Sequence, residues 1–257
     1  MKKPYFLTIG HANPDLPLFV FLPGMDETGK ELIQCQTSSL ETVFDVRSFI
    51  IPADEMGSWN DLSQQVIALT QAELNRYPRS SVYLCGESFG GNIALKVVSQ
   101  APELFTHLIL ANSASSFHRV PWLDLGALLL PWTPRFLYEL SSYLALPFLS
   151  QVHRLSPIAQ KALLKAVQDA PKKTAEQRLE LLRTFEMDTA KLAQITLPVL
   201  LISGRDDHLL PSVEEAQRLS QIFPNAQQIT LPHSGHACLA EADTNLLAIL
   251  RSTHFLP

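Results

Sequence analysis

The chain has 257 residues, 46% of them hydrophobic and 18% charged, which is enough apolar material for one large globular domain, whereas two independent domains would each be small. Its 20 Lys and Arg against 25 Asp and Glu give a formal net charge of −5 with no Lys/Arg run, which argues against a nucleic-acid partner and a basic membrane-binding patch. Cys35, Cys85 and Cys238 are too few, and odd in number, for a disulfide framework, so a reducing compartment and a cytosolic protein are expected.

The first residues begin positively, but their apolar stretch is broken by His11, Asn13 and Asp15 too early for a signal peptide. Short apolar runs then recur with helical patterns between them, the signature of strands and helices alternating around a mostly parallel sheet. Strands are expected at 18–22, 46–51, 81–85, 108–111, 199–203 and 227–231, with a candidate edge strand at 5–9. A helix over 61–75 follows from Leu62, Val66, Leu69 and Leu74 on one face. Similar patterns mark 92–98, 213–222 and 245–251.

The alternation breaks after residue 112. Residues 1–112 and 195–257 are therefore read as an α/β core, and 113–194 as a helical cap insertion. The insertion is rich in Trp and Leu, as at Trp122, Leu128, Leu129, Leu130 and Trp132, and then becomes charged from Gln160 to Lys191. A transmembrane segment over 125–149 is disfavoured because Pro131, Pro134, Arg135, Glu139 and Pro147 interrupt it. Short amphipathic helices are expected instead. Their apolar side chains have three readings: the wall of a substrate site, a peripheral contact with a lipid surface, or packing among themselves.

The motif that carries chemistry is Gly86-Glu87-Ser88-Phe89-Gly90, set between an expected strand and an expected helix. In that setting Gly-x-Ser-x-Gly is a nucleophile elbow, whose sharp turn lifts the serine hydroxyl above the sheet and puts it at a helix N-terminus. A serine hydroxyl needs a base, and the base needs a carboxylate to hold its tautomer. After the strand at 199–203 come Gly204-Arg205-Asp206-Asp207-His208, and after the next strand His233-Ser234-Gly235-His236, which is expected to open the last helix. Serine, acid and histidine thus follow one another in that order, with Asp206 or Asp207 as the acid and His233 or His236 as the base.

With these residues the chain resembles the α/β-hydrolase family. The resemblance implies a cofactor-free serine hydrolase with no metal site. The family's Gly-x-x-Asp loop points to Asp207 over Asp206, and its Ser-Gly-His pattern to His236, leaving His233 and His208 as solvated loop residues. It also implies an oxyanion hole from the backbone N–H of Phe89 and, by position, that of Met25. Pro23-Gly24-Met25-Asp26 stands where the family has His-Gly, so the loop must be held otherwise, by Asp26 or Thr28.

Three strings, 22–29, 86–91 and 110–117, are similar to the hydrolase part of the phytyl ester synthase group of esterase, lipase and acyltransferase proteins. That likeness implies a small-molecule ester with an apolar acyl chain as substrate. The group's second domain carries His-x-x-x-x-Asp. No histidine here is followed by aspartate five positions on, so that half is not expected. Ester hydrolysis is the leading expectation. Acyl transfer to an alcohol by the same Ser88, Asp207 and His236, and a non-catalytic ligand-binding protein on a hydrolase scaffold, are the alternatives.

Overall fold

A computed structural model describes residues 3–24, 29–117, 120–134, 150–169 and 171–256. The chain runs β1 (Tyr5–Thr8), β2 (Leu18–Leu22), α1 (Gly29–Leu40), β3 (Asp45–Ile50), α2 (Trp59–Arg76), β4 (Val82–Glu87), α3 (Phe89–Val98) and β5 (His107–Ala111). The segment that follows holds α4 (Pro121–Leu129), α5 (Pro157–Asp169), α6 (Lys172–Arg183) and the single turn α7 (Thr189–Leu192). It then closes with β6 (Val199–Gly204), α8 (Ser212–Ser220), β7 (Ala226–Leu231) and α9 (Leu246–Ser252).

The seven strands lie in the order β1-β3-β2-β4-β5-β6-β7. β1 is antiparallel to β3 and every other pair is parallel. Parallel neighbours need crossovers, and crossover helices cover both sheet faces, which is why β2, β3, β4 and β6 are buried along their whole length. Side chains alternate between two cores with a period of two residues. Leu18, Val20, Leu22, Leu84 and Leu110 point to the face covered by α2, α3 and α8. Phe19, Phe21, Tyr83, Ile109 and Ile202 point to the face covered by Leu40 of α1 and by Leu246, Leu247 and Leu250 of α9.

The expected strands are present with ends moved by a residue or two, and β4 runs on through Gly86 and Glu87 to the elbow itself. α2 begins earlier than expected because Ser58 caps it reciprocally with Asp61. Two features depart from the sequence expectation. Helix α1 has no counterpart there, since Thr37-Ser38-Ser39 are weak helix formers. It is secured by the buried Gln36, whose Nε2 donates to the carbonyls of Leu239 (2.8 Å) and Thr244 (2.7 Å), and whose Oε1 accepts from Leu246 N (2.8 Å). His236, moreover, does not open the last helix. It stands in a loop, followed by a 3-10 turn at Cys238–Ala240, and α9 starts only at Leu246.

Between β5 and β6, α6 is tied to the loop after β3: Thr174 Oγ1 donates to Ala53 O (2.6 Å) and Arg178 Nη2 to Pro52 O (3.1 Å). Leu125, Leu128, Leu129 and Trp132 lie on the outer surface, Trp132 with 86% of its area exposed. Among the described residues no helix is long and apolar enough to cross a membrane. The three cysteines are free, with Cys85 and Cys238 buried.

Candidate active site

Ser88 is the one residue between β4 and α3, and it takes φ 53°, a left-handed value that a non-glycine residue adopts only under constraint. Two glycines make the turn feasible. A Cβ on Gly86 would overlap the backbone of Gly90 and Gly91, and one on Gly90 would overlap the carbonyls of Leu22 and Pro23. The end of β2 and the start of α3 are thereby in backbone contact beside the serine. Ser88 makes no side-chain cap bond to α3, which leaves its hydroxyl to another partner.

That hydroxyl lies 2.7 Å from His236 Nε2, and His236 Nδ1 lies 2.8 Å from Asp207 Oδ2. An ionised carboxylate only accepts, so Nδ1 carries the proton toward Asp207 and Nε2 is left to accept from Ser88 Oγ–H. Both partners are withdrawn from water, with side-chain exposures of 4% for His236 and 1% for Asp207. Burial pushes the imidazolium down, but Asp207 and, more weakly, Glu87 outweigh it and hold the His236 pKa above its ordinary value. Burial also pushes the Asp207 carboxyl up. His236, together with donors from Ser212 and Leu210, outweighs burial and holds it below the usual carboxylate range.

Asp207 is held from its own loop. Oδ1 accepts from Leu209 N (2.8 Å) and Leu210 N (3.0 Å), while Ser212 Oγ, at the start of α8, donates to Oδ2. Of the two adjacent aspartates it is therefore Asp207 that meets the histidine. Asp206 is partly exposed, and its backbone N–H donates to Ser234 O. His208 and His233 are both exposed.

Phe89 contributes the first N–H of α3, one of those an α-helix leaves without an intrahelical partner. Its ring is buried and packs on Trp59. Met25, expected to supply the second donor, lies outside the described residues, as do Asp26 and Thr28. Gly24, the last described residue before them, lies beside the serine: a Cβ on Gly24 would sit 4.0 Å from Ser88 Cβ.

Several supports escaped the sequence reading. Glu241, wholly buried, accepts from Gly235 N (2.8 Å) and from Arg154 Nε (3.0 Å), so the loop bearing the histidine is tied to the segment between β5 and β6. Gln151 Nε2 reaches Asp206 O at 3.4 Å. No local motif marks Arg154 or Glu241, since each acquires its meaning from the other across more than eighty residues.

Comparison with known proteins accords with this architecture. The profile of the alpha/beta hydrolase fold family matches residues 52–243. Phytyl ester synthase 1, chloroplastic, of Arabidopsis thaliana is 29% identical over 266 residues, covering 95% of this chain. The chain spans only 38% of the length of that relative. Pimeloyl-(acyl-carrier protein) methyl ester esterase of Nitrosomonas europaea is 31% identical over 179 residues, which is 66% of this chain and 69% of that one. Among solved structures, a thermophilic esterase from Thermogutta terrifontis superposes with a TM-score of 0.75 at 17% identity, covering 98% of this chain and 93% of the other, a likeness of fold. With a profile match across most of its length and a parallel sheet whose strand ends carry the elbow, the chain belongs to the alpha/beta hydrolase fold family.

Proposed function

We propose that this chain is a serine hydrolase that cleaves carboxylic esters through an acyl-enzyme on Ser88. The observation that carries the reading is the unbroken line of hydrogen bonds from Ser88 Oγ through His236 to Asp207, at 2.7 and 2.8 Å. Ser88 Oγ attacks the ester carbonyl carbon while His236 Nε2 takes its proton. The carbonyl oxygen becomes an oxyanion, met by the Phe89 N–H and by a second N–H assigned to Met25, each worth about 3–4 kcal/mol in such sites. His236 then gives its proton to the departing alkoxide oxygen, leaving the acyl group on Ser88. Water repeats the sequence, giving its proton to His236, and collapse of the second tetrahedral intermediate frees the carboxylic acid and restores the serine hydroxyl. Asp207 stays ionised throughout and stabilises the imidazolium. None of these steps calls on a metal or cofactor.

The substrate class is an ester with an apolar acyl chain, lying beneath a cap formed by residues 113–194. Support comes from the relatives named for phytyl esters and for a pimeloyl methyl ester. A cytosolic location belongs to the same proposal, supported by three free cysteines. Acyl transfer to an alcohol is the second reading, favoured by the phytyl ester synthase relative. It uses the same acyl-enzyme and differs only in whether an alcohol or water attacks it.

Turnover of p-nitrophenyl esters of rising chain length, with and without a long-chain alcohol, tests the proposal against Ser88→Ala. Preference for long chains supports the apolar substrate, and a sharp preference for acetate overturns it. Ester product that appears only when alcohol is present moves the assignment to transfer. Absence of both turnover and labelling by a serine-directed fluorophosphonate in the wild type overturns the enzyme itself.

A further inference from the structure

Asn112 is the first residue after β5, buried to 1% exposure, and it adopts φ 44°. Asparagine is among the few non-glycine residues that enter this left-handed region readily. Its own N–H donates to Ile202 O (2.9 Å), which continues the β5–β6 ladder one step beyond the strand. The side chain then does something the ladder does not require. Oδ1 accepts from Gly204 N (2.7 Å), while Nδ2 donates to Gly235 O (2.9 Å) and His236 O (2.6 Å).

Gly204 is the last residue of β6 and begins the short run to Asp207, and Gly235 and His236 bear the histidine. One amide thus joins the strand that delivers the acid to the loop that delivers the base. We propose that Asn112 is a positioning residue of the catalytic triad, whose amide sets the separation of Asp207 and His236; this rests on the catalytic reading of Ser88, His236 and Asp207 given above.

The residue type is dictated by chemistry. The position requires one acceptor and two donor hydrogens on a short side chain, and among the amino acids only the asparagine amide has both at that reach. Aspartate keeps the acceptor but sets a charged oxygen against two carbonyl oxygens. Serine retains at most one of the bonds. Because all three contacts run to backbone away from the serine hydroxyl, their loss acts on the proton path: kcat falls and KM stays.

The test uses the full chain with Asn112→Ala and Asn112→Ser, assayed for kcat and KM on a p-nitrophenyl ester. Thermal melting checks folding, and proton NMR follows the far-downfield signal of the His236 Nδ1–H shared with Asp207. Asn112→Ala is expected to lower kcat by about 10- to 100-fold, the size of effect a small misplacement produces. KM should stay within about twofold, the mark of an interaction that matters after binding, and the downfield signal should broaden or move. Asn112→Ser, the milder change, is expected to fall between. Either variant folding with wild-type kcat and an unchanged signal overturns the proposal. A wild type that shows the downfield signal, lost in the variants, yet turns over no ester leaves Asn112 as the residue that sets the pair and indicts the catalytic reading instead.

Discussion

The indole of Trp59 packs at a tilt against the ring of Phe89 with centroids 4.6 Å apart, while its N–H donates to the carbonyl of Leu181 at 2.9 Å. The ring of Phe185 meets the same indole edge-on at 4.9 Å. One side chain at the start of α2 therefore braces the residue after Ser88 against α6. The N–H assigned to oxyanion stabilisation belongs to that braced residue, so the packing of α6 and the geometry of the elbow are mechanically linked.

Replacing Trp59 separates packing from hydrogen bonding. Trp59→Ala is expected to cost about 3–5 kcal/mol, the usual range for emptying a buried aromatic site. Trp59→Phe keeps most of the ring contact and should cost about 1 kcal/mol for the lost bond to Leu181. Denaturant unfolding measures both. In the proposed mechanism Trp59→Ala also lowers kcat more than it raises KM, because Phe89 loses its backing.

The pH dependence follows from His236 and Asp207. In the proposed mechanism the base must be neutral to accept the serine proton, and the His236 pKa is raised, so the acid limb of kcat/KM is expected above the ordinary imidazole value of about 6.5. Asp207→Asn removes the charge that raises it. The limb should then move to lower pH, and the rate should drop by about 10⁴-fold. The signs for stability are opposite. Stability from His236 is present at low pH and is lost as pH rises through its raised pKa. That from Asp207 is present at neutral pH and is lost as pH falls through its lowered one. A limb below the ordinary imidazole value in the wild type would contradict the pairing.

Gly90→Ala tests the close approach beneath the elbow. Its methyl group would press on the carbonyls of Leu22 and Pro23, which are backbone and cannot swing away. The expected outcome is a loss of about 1–3 kcal/mol from overpacking. The Leu22-Pro23 backbone should be pushed away from Ser88, so in the proposed mechanism turnover falls further than stability alone explains. Thermal melting and single-turnover kinetics distinguish the two effects.

Arg154→Ala tests the tie between the segment joining β5 to β6 and the histidine loop. It leaves the buried Glu241 carboxylate with one of its two bonds, so the expected cost is about 3 kcal/mol. Arg154→Lys keeps the charge but forfeits the fork geometry and should lose less. If both variants melt as the wild type does, the pair is solvated in solution and holds nothing.

The sheet was legible because its chemistry is local. A strand buried on both faces favours an unbroken apolar run, and 18–22, 108–111 and 199–202 are such runs. The elbow was legible for a similar reason, since the turn at Ser88 demands small residues at fixed offsets that few other structures require together. Helix α1 was not legible: its segment has little helical preference of its own, and a buried amide at Gln36 secures it to a loop two hundred residues away. The same distant bonds hold the segment after His236 away from helix, which is why α9 starts at Leu246 and not beside the histidine.

The amino-acid order alone determined that this chain builds a mostly parallel α/β sheet and that a serine is set at the sharp turn between a strand and a helix. Hydrophobic periodicity and glycine spacing act over a few residues and need no partner to be read. Which of two neighbouring aspartates faces the histidine was decided only in three dimensions. Asp206 and Asp207 are chemically identical, and the difference arises from the N–H groups of Leu209 and Leu210, the Ser212 hydroxyl and the His236 ring converging on one carboxylate. The Asn112 amide belongs to the same class of fact. Its three bonds bring together strand ends and loops that are remote along the chain and adjacent only because β5, β6 and the histidine loop meet at the carboxyl ends of the strands.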